Sequence, residues 1–158
     1  MIVEFKKATA LDAEIIGLMV VDLTKEISSK THTKTFNIDE KDTIATCREL
    51  LTEGHYSAII ALCNTVPVAI STFTESYALY AGGKIGVVQE FFVNPVYRST
   101  GIGSQLIDKI REYGINNNWK AIELTTPPLP EFERTLKFYQ NNGLIPVGGR
   151  KMRENINI

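Results

Sequence analysis

The stretch NPVYRSTGIGSQL, residues 94–106, decides how this chain is read. It follows the apolar run VVQEFFV at 87–93 and leads into a segment in which Ile102, Leu106, Ile110 and Tyr113 recur on one helical face. A strand that passes into a helix through a proline, an arginine and two close glycines is either an ordinary tight turn or a place where backbone amides meet an anion. The first amides of a helix have no internal partner and lie at the positive end of its dipole. A glycine-rich turn ahead of them lets a phosphate approach the backbone. Here Arg98 supplies a charge, Gly101 and Gly103 remove two obstructing Cβ atoms, and Ser104 adds a hydroxyl. Arg-x-x-Gly-x-Gly at this junction therefore reads as a pyrophosphate cradle. The competing reading makes Gly101 a turn residue and Gly103 a packing residue. A dinucleotide fingerprint is only partly met: Glu123 lies about 20 residues on, where a ribose-binding acid belongs, but Leu106 stands where Gly or Ala is required. A P-loop is excluded, because no Lys-Ser/Thr follows the glycine.

The rest of the composition describes the domain in which this junction sits. At 158 residues the chain is expected to form one domain, 1–158, and 44% hydrophobic with 22% charged residues is the balance of a soluble globular protein. With 17 basic and 18 acidic residues, a broad nucleic-acid or anionic-membrane surface is not expected. Cys47 and Cys63 make no CxxC, and His32 and His55 are far apart, so no metal site is expected and both cysteines read as reduced core residues. The uncharged run from Tyr56 to Thr74 is broken by Asn64, Thr65 and Pro67 and reads as strand, turn and strand rather than a membrane span. The N-terminus has too short an apolar run for a signal peptide, which makes the expected location cytoplasmic.

Periodicity gives the order of elements. Ile2, Val3 and Phe5 suggest a first strand. Thr9 is a plausible N-cap for a helix over 10–27, with Ile15, Leu18, Met19 and Leu23 on one face. SSKTHTKTFN, residues 28–37, is polar and aperiodic and reads as a loop beside a binding site. A second helix is expected over 39–53, with Ile44, Cys47 and Leu51 sharing a face, then strands over 56–62 and 66–75 and a turn at ALYAGGK, 78–84. The strand 85–93, the helix after residue 101, a strand over 121–125, an extended loop at TPPLP (126–130), a helix over 131–141 and a closing strand over 145–149 complete the chain. The order β-α-α-β-β-β-α-β-α-β predicts an α+β fold in three layers around a mixed, mostly antiparallel sheet.

Two side chains stand out within these elements. Glu90 is the one charge in an apolar strand, and period-two alternation places it on a face with Val88 and Phe92. Such a carboxylate reaches water or a partner, or shifts its pKa. It reads either as a surface acid or as a general base in a cleft, and Glu75 is a weaker version of the same idea. Tyr139 lies one turn before the helix end in LKFYQNNGLIPV, 136–147, on an apolar face with Phe132 and Leu136, and read alone is a core tyrosine.

Together, VVQEFFVNPVYRSTGIGSQLIDKI and LKFYQNNGLIPV resemble the GNAT N-acetyltransferase family: its strand, Arg-x-x-Gly-x-Gly loop and helix, then its last helix ending in Phe-Tyr-x-x-Asn-Gly. The resemblance covers nearly the whole chain. It implies an acyl-CoA N-acyltransferase fold, with acetyl-CoA as cosubstrate and a small-molecule amine as acceptor. It implies that Arg98, Ser99, Thr100, Gly101, Ile102, Gly103 and Ser104 hold the pyrophosphate. It further implies that Phe92 and Val93 pair with the pantetheine arm like an added strand. Tyr139 then protonates the departing thiolate, and Glu90 deprotonates the amine, directly or through water. Dimers are common in the family, and the resemblance implies a homodimer. The chain departs from the pattern at Phe132, where many relatives have Asn, at Thr135, where many have a small residue, and in the proline loop 127–130. The alternatives are a protein or peptide acetyltransferase, with residues 28–37 and ESYALYAGGK (75–84) as groove walls, and a non-catalytic acyl-CoA sensor.

Overall fold

The computed structural model describes residues 2–33 and 38–156, so Lys34 to Asn37 of the expected loop lie outside the described residues. The chain divides into two compact units, Met1–Leu124 and Thr125–Ile158. The first holds strands β1 (Val3–Lys7), β2 (Ser57–Cys63), β3 (Val66–Ala78), β4 (Gly83–Val93) and β5 (Ala121–Leu124), and helices α1 (Ala13–Thr31), α2 (Glu40–Thr52) and α3 (Ile102–Asn116). The second holds α4 (Glu133–Asn141).

The five strands form one sheet in chain order, antiparallel from β1 to β4 and parallel between β4 and β5. A parallel neighbour needs a crossover, and α3 supplies it. Ile59, Ala61, Phe73 and Val88 face α3 and pack on Ile102, Leu106 and Ile110. Ala58, Ile60, Ile70 and Phe92 face the other way and pack with Ile16 of α1 and Cys47 of α2. The mixed α+β architecture is the expected one, with helices on both faces of the sheet in the first unit. Both cysteines are buried and free.

Local chemistry sets the element ends. Thr9 is the expected cap, and with Asp12 it closes a capping box. The Thr9 hydroxyl accepts from the Leu11 amide at 3.3 Å, and Asp12 accepts from the Thr9 amide at 2.9 Å. Burial alone would push the Asp12 carboxyl up, but the Thr9 amide and Lys6 outweigh it and hold it below the ordinary value. The box closes a 3-10 turn, Ala10–Asp12, ahead of the helix. The buried residues of α1 are Ala13, Ile16, Gly17, Val21, Thr24 and Ile27; of the expected face, Met19 and Leu23 pack partly buried against the core, and Ile15 and Leu18 are half-buried. The helix also runs past residue 27: Lys30 pairs with Glu26 at 3.0 Å and the Thr31 hydroxyl bonds to the Ile27 carbonyl, so residues 28–31 are helical rather than loop. Between β2 and β3, Asn64 and Thr65 both take positive φ, 50° and 70°, which suits a two-residue hairpin turn.

No strand forms over 145–149. Gly148 and Gly149 take φ of 88° and 86°, which interrupts an extended run, and Ile145 and Val147 are 75% and 84% exposed. The expected last strand is thus absent among the described residues, and β5 is an edge of the sheet.

Trp119 joins α3 to the sheet. Its ring lies against two glycines, so that a Cβ built on Gly86 of β4 would come within 2.1 Å of it and one on Gly114 of α3 within 2.5 Å. Phe73 and Tyr113 meet it edge-on, with centroids 5.6 and 5.5 Å away, and its indole N–H donates to Glu75 at 2.7 Å. Glu75 therefore has a structural role here. Gly86→Ala overpacks this contact and is expected to lower unfolding free energy by about 3 kcal/mol. The fluorescence of this single tryptophan should shift as well; urea unfolding at wild-type midpoint with an unchanged spectrum would contradict the close approach.

Candidate active site

The registers of β3 and β4 slip at one point: Thr72 pairs with Glu90, but Phe73 pairs with Val88, leaving Gln89 as an extra residue. This is a β-bulge. Strict alternation would keep Val88, Glu90 and Phe92 on one face. The bulge instead sends Val88 to the α3-side core and Phe92 to the α1–α2 side. Gln89 donates to Thr74 at 3.1 Å and Glu90 accepts from Thr72, two residues apart on β3, so both lie on the α1–α2 side. The expectation that Glu90 shares a face with Phe92 holds; that it shares one with Val88 is corrected.

The fold holds this carboxylate closely. Thr72, 1% exposed, donates its hydroxyl to Glu90 Oε1 at 2.5 Å and accepts the Glu90 amide at 3.1 Å. The Tyr56 hydroxyl donates to Oε2 at 3.5 Å, and Ser71 donates to the Glu90 carbonyl at 3.0 Å. Burial, reinforced by the Glu90 charge, pushes the Tyr56 phenol far above its ordinary value, so Tyr56 stays a donor at neutral pH. The same causes push the Cys47 thiol up to about 11, which keeps it protonated.

Glu90, Tyr56 and Thr72 form the floor of a cleft of about 530 Å³ between α1, α2 and the sheet. Its other polar lining includes Asp39, Asp42, Thr43 and Thr46 of α2 and the residue before it, and among the described residues its charged lining is all acidic. A volume of this size suits a small organic ligand.

Further along the same α1–β4 seam lies a second hollow of about 450 Å³, lined by Asp22, Glu26 and Lys30 of α1 and by Phe92, Asn94, Pro95 and Arg98. Here the strand leaves the sheet through a 3-10 turn, Pro95–Tyr97, which Asn94 caps by accepting the Val96 amide at 3.1 Å. Ser99 takes φ 64° and Gly101 φ 90°, and α3 begins at Ile102 with no side-chain cap. A Cβ on Gly101 would meet only Gln105, at 3.9 Å, so the approach to the backbone there is open. The amides of Ile102, Gly103 and Ser104 thus begin a helix in the geometry that receives an anion. Phe92 is buried and Val93 half-buried at the strand end, and Thr100 turns its hydroxyl back to the Tyr97 carbonyl at 2.5 Å.

Arg98 is placed differently from a simple phosphate ligand. Its Nε donates to the Val93 carbonyl at 2.8 Å, and its two terminal nitrogens fork onto Glu26 at 3.0 and 2.7 Å. The guanidinium also stands 5.5 Å from the centroid of the Phe92 ring. Sequence reasoning missed Glu26, Tyr56 and Thr72. Each meets its partner across a long stretch of chain, and no local pattern marks it.

Tyr139 belongs to the second unit, on α4. It is buried, its ring meets Phe138 at 5.2 Å, and burial pushes its phenol well above its ordinary value. Phe132, expected inside the helix, is instead its N-cap residue and is buried, and Thr135 is half-buried. Among the described residues no group of three His, Cys, Asp or Glu is placed to hold a metal ion, and no helix is long and apolar enough to cross a membrane.

Residues 21–144 match the family described as the acetyltransferase (GNAT) family. A stretch of 51 residues is 37% identical to an uncharacterized N-acetyltransferase of Archaeoglobus fulgidus, a match covering 32% of this chain and 35% of that protein. Among solved structures, a ribosomal-protein-alanine N-acetyltransferase from Brucella melitensis is similar with a TM-score of 0.76 at 17% identity, over 98% of this chain and all of that one. An aminoglycoside N-acetyltransferase in complex with CoA is similar with a TM-score of 0.78 at 17% identity, over 98% of this chain and 95% of that one. At such identities the structural likeness is one of fold. The family match, spanning most of the chain from α1 through the end of α4, assigns it: this chain belongs to the GNAT family of acetyltransferases, whose cosubstrate is acetyl-CoA.

Proposed function

We propose that this protein transfers the acetyl group of acetyl-CoA to a primary amine of a small cationic molecule. The observation that carries the reading is the acid-lined cleft with Glu90 on its floor, in the same unit as the uncapped start of α3. Asp39, Asp42 and Glu90 favour a ligand with positive charge, and a cleft of about 530 Å³ suits a small molecule better than an extended peptide. One relative by fold carries the name of an aminoglycoside N-acetyltransferase, which agrees with that class, while another is named for a ribosomal protein.

In this reading the amides of residues 99–104 receive the pyrophosphate, and the strand end at Phe92 and Val93 lies along the pantetheine arm. An ammonium has no lone pair with which to attack. Glu90 accepts its proton, directly or through water, and the free amine adds to the thioester carbonyl. The bond to sulfur then breaks as Tyr139 gives its hydroxyl proton to the thiolate, and the second proton of the attacking nitrogen leaves through water, which restores the Tyr139 phenol and leaves the neutral amide. Burial keeps the Tyr139 phenol protonated at neutral pH, the state from which a proton can be given. Thr72 and Tyr56 orient the Glu90 carboxylate without bringing a charge of their own.

Calorimetry should find binding of acetyl-CoA and CoA and none of NADH; the reverse would mean that Gly101, Gly103 and Glu123 serve a dinucleotide. Thiol release over a panel of polycationic amines and peptides should favour the amines. With the best acceptor, Glu90→Gln and Tyr139→Phe should each lower kcat by about 100-fold. Unchanged turnover across pH in both variants would remove the assigned roles.

Thr72→Val removes the hydroxyl that donates to Glu90 Oε1 and accepts the Glu90 amide. It should cost about 2 kcal/mol of stability and lower kcat, whereas Thr72→Ser should recover most of both. If the serine variant behaves like the valine variant in urea unfolding and turnover, the methyl group rather than the hydroxyl matters.

A further inference from the structure

The motif arginine is compensated inside the fold. Of the five N–H donors of the Arg98 guanidinium, one meets the Val93 carbonyl and two meet the two oxygens of Glu26 on α1. A forked pair of this kind fixes the plane of the guanidinium as well as its place. Lys30, one turn further along α1, adds a second cation to Glu26 at 3.0 Å. The Arg98 hydrogen bonds, ahead of the opposing effect of burial, hold the Glu26 carboxyl below its ordinary value, so the pair is ionised at neutral pH. Among the described residues, the hollow beside the phosphate loop carries Asp22 and Glu26 against Lys30 and Arg98, two acids to two bases, with no formal net charge. An arriving phosphate therefore meets a guanidinium whose charge Glu26 has largely cancelled, and the loop amides are left as the main receptor.

We propose that Glu26 is a positioning residue for the acetyl transfer. Through Arg98 it holds the Val93 carbonyl, and hence the strand end along which the thioester lies, while it restrains the affinity for the cofactor by compensating the guanidinium. This rests on the acetyltransferase reading above. In this proposal Glu26 acts through Arg98, which ties α1 to the end of β4 and to the start of the phosphate loop.

The two effects of removing Glu26 run in opposite directions, which loss of structure alone would not produce. In Glu26→Gln the guanidinium keeps its charge but loses its counter-ion. Calorimetry should show acetyl-CoA binding about 5-fold tighter at low salt, with the gain fading as salt rises. In the same variant kcat should fall by about 10-fold, because the strand end is less firmly held. The gain in affinity should vanish in the double variant Glu26→Gln/Arg98→Gln. Arg98→Lys, which keeps the charge but cannot fork, should lower kcat while retaining cofactor affinity. Weaker or unchanged acetyl-CoA binding in a folded Glu26→Gln protein, or an unchanged kcat, overturns the proposal and leaves the acetyltransferase reading standing. Failure of the wild-type protein to bind acetyl-CoA overturns both.

Discussion

One extra residue in β4 governs what the rest of the first unit can do. Gln89 interrupts the pairing with β3, and the parity of the strand reverses across it. Before the bulge Val88 serves the core under α3; after it Phe92 serves the core under α1 and α2. Without it, alternation from Val88 would carry Glu90 into the α3-side cluster with Phe73 and Leu106. A carboxylate in such surroundings costs several kcal/mol or gives up its charge. The bulge turns that liability into a side chain on a cleft floor, where Thr72 and Tyr56 receive it. A packing irregularity thus also places the carboxylate to which the proposed function assigns the proton transfer.

The start of α3 depends on a second constraint, at the far end of that helix. Trp119 sits where both Gly86 and Gly114 lack a side chain, and the Lys120 amide bonds to the Lys84 carbonyl at 2.7 Å. The C-terminal end of α3 is therefore fixed against β4, while its N-terminal end starts from the left-handed Gly101. Ile102, Leu106 and Ile110 seat the helix between these points. A helix held along its length presents its first amides in one direction, and an anion receptor made of backbone needs that rigidity more than it needs charge.

What was legible in the sequence was what the chain writes locally. The capping box at Thr9 and Asp12, the turn at Asn64 and Thr65, and the strand-to-helix junction at 94–106 each depend on neighbours a few residues away, and each is found where expected. The readings that failed depend on partners. The bulge exists only in the register between β3 and β4, the most buried side of α1 depends on the α2 and sheet residues that it meets, and the Glu26 fork joins residues 72 positions apart. The apolar alternation at 145–149 resembled a strand, but it carries two glycines in left-handed conformation and has no sheet partner.

Those two carboxylates also divide the seam between α1 and β4. Glu26 faces a guanidinium and an ammonium, and its charge is matched. Glu90 is held by hydroxyls, one of them on a tyrosine whose phenol is itself pushed up and so remains a donor. A hydroxyl can orient a carboxylate without cancelling its field, whereas a guanidinium does both. In the proposed function the arrangement therefore keeps negative potential in the cleft, where an ammonium would be attracted and would give up a proton. It removes that potential from the hollow at the strand end, where the phosphates of a cofactor would be repelled. Exchanging the two settings would serve neither ligand, since a neutralised acid in the cleft would accept a proton less readily and an unpaired one beside the loop would oppose the anion.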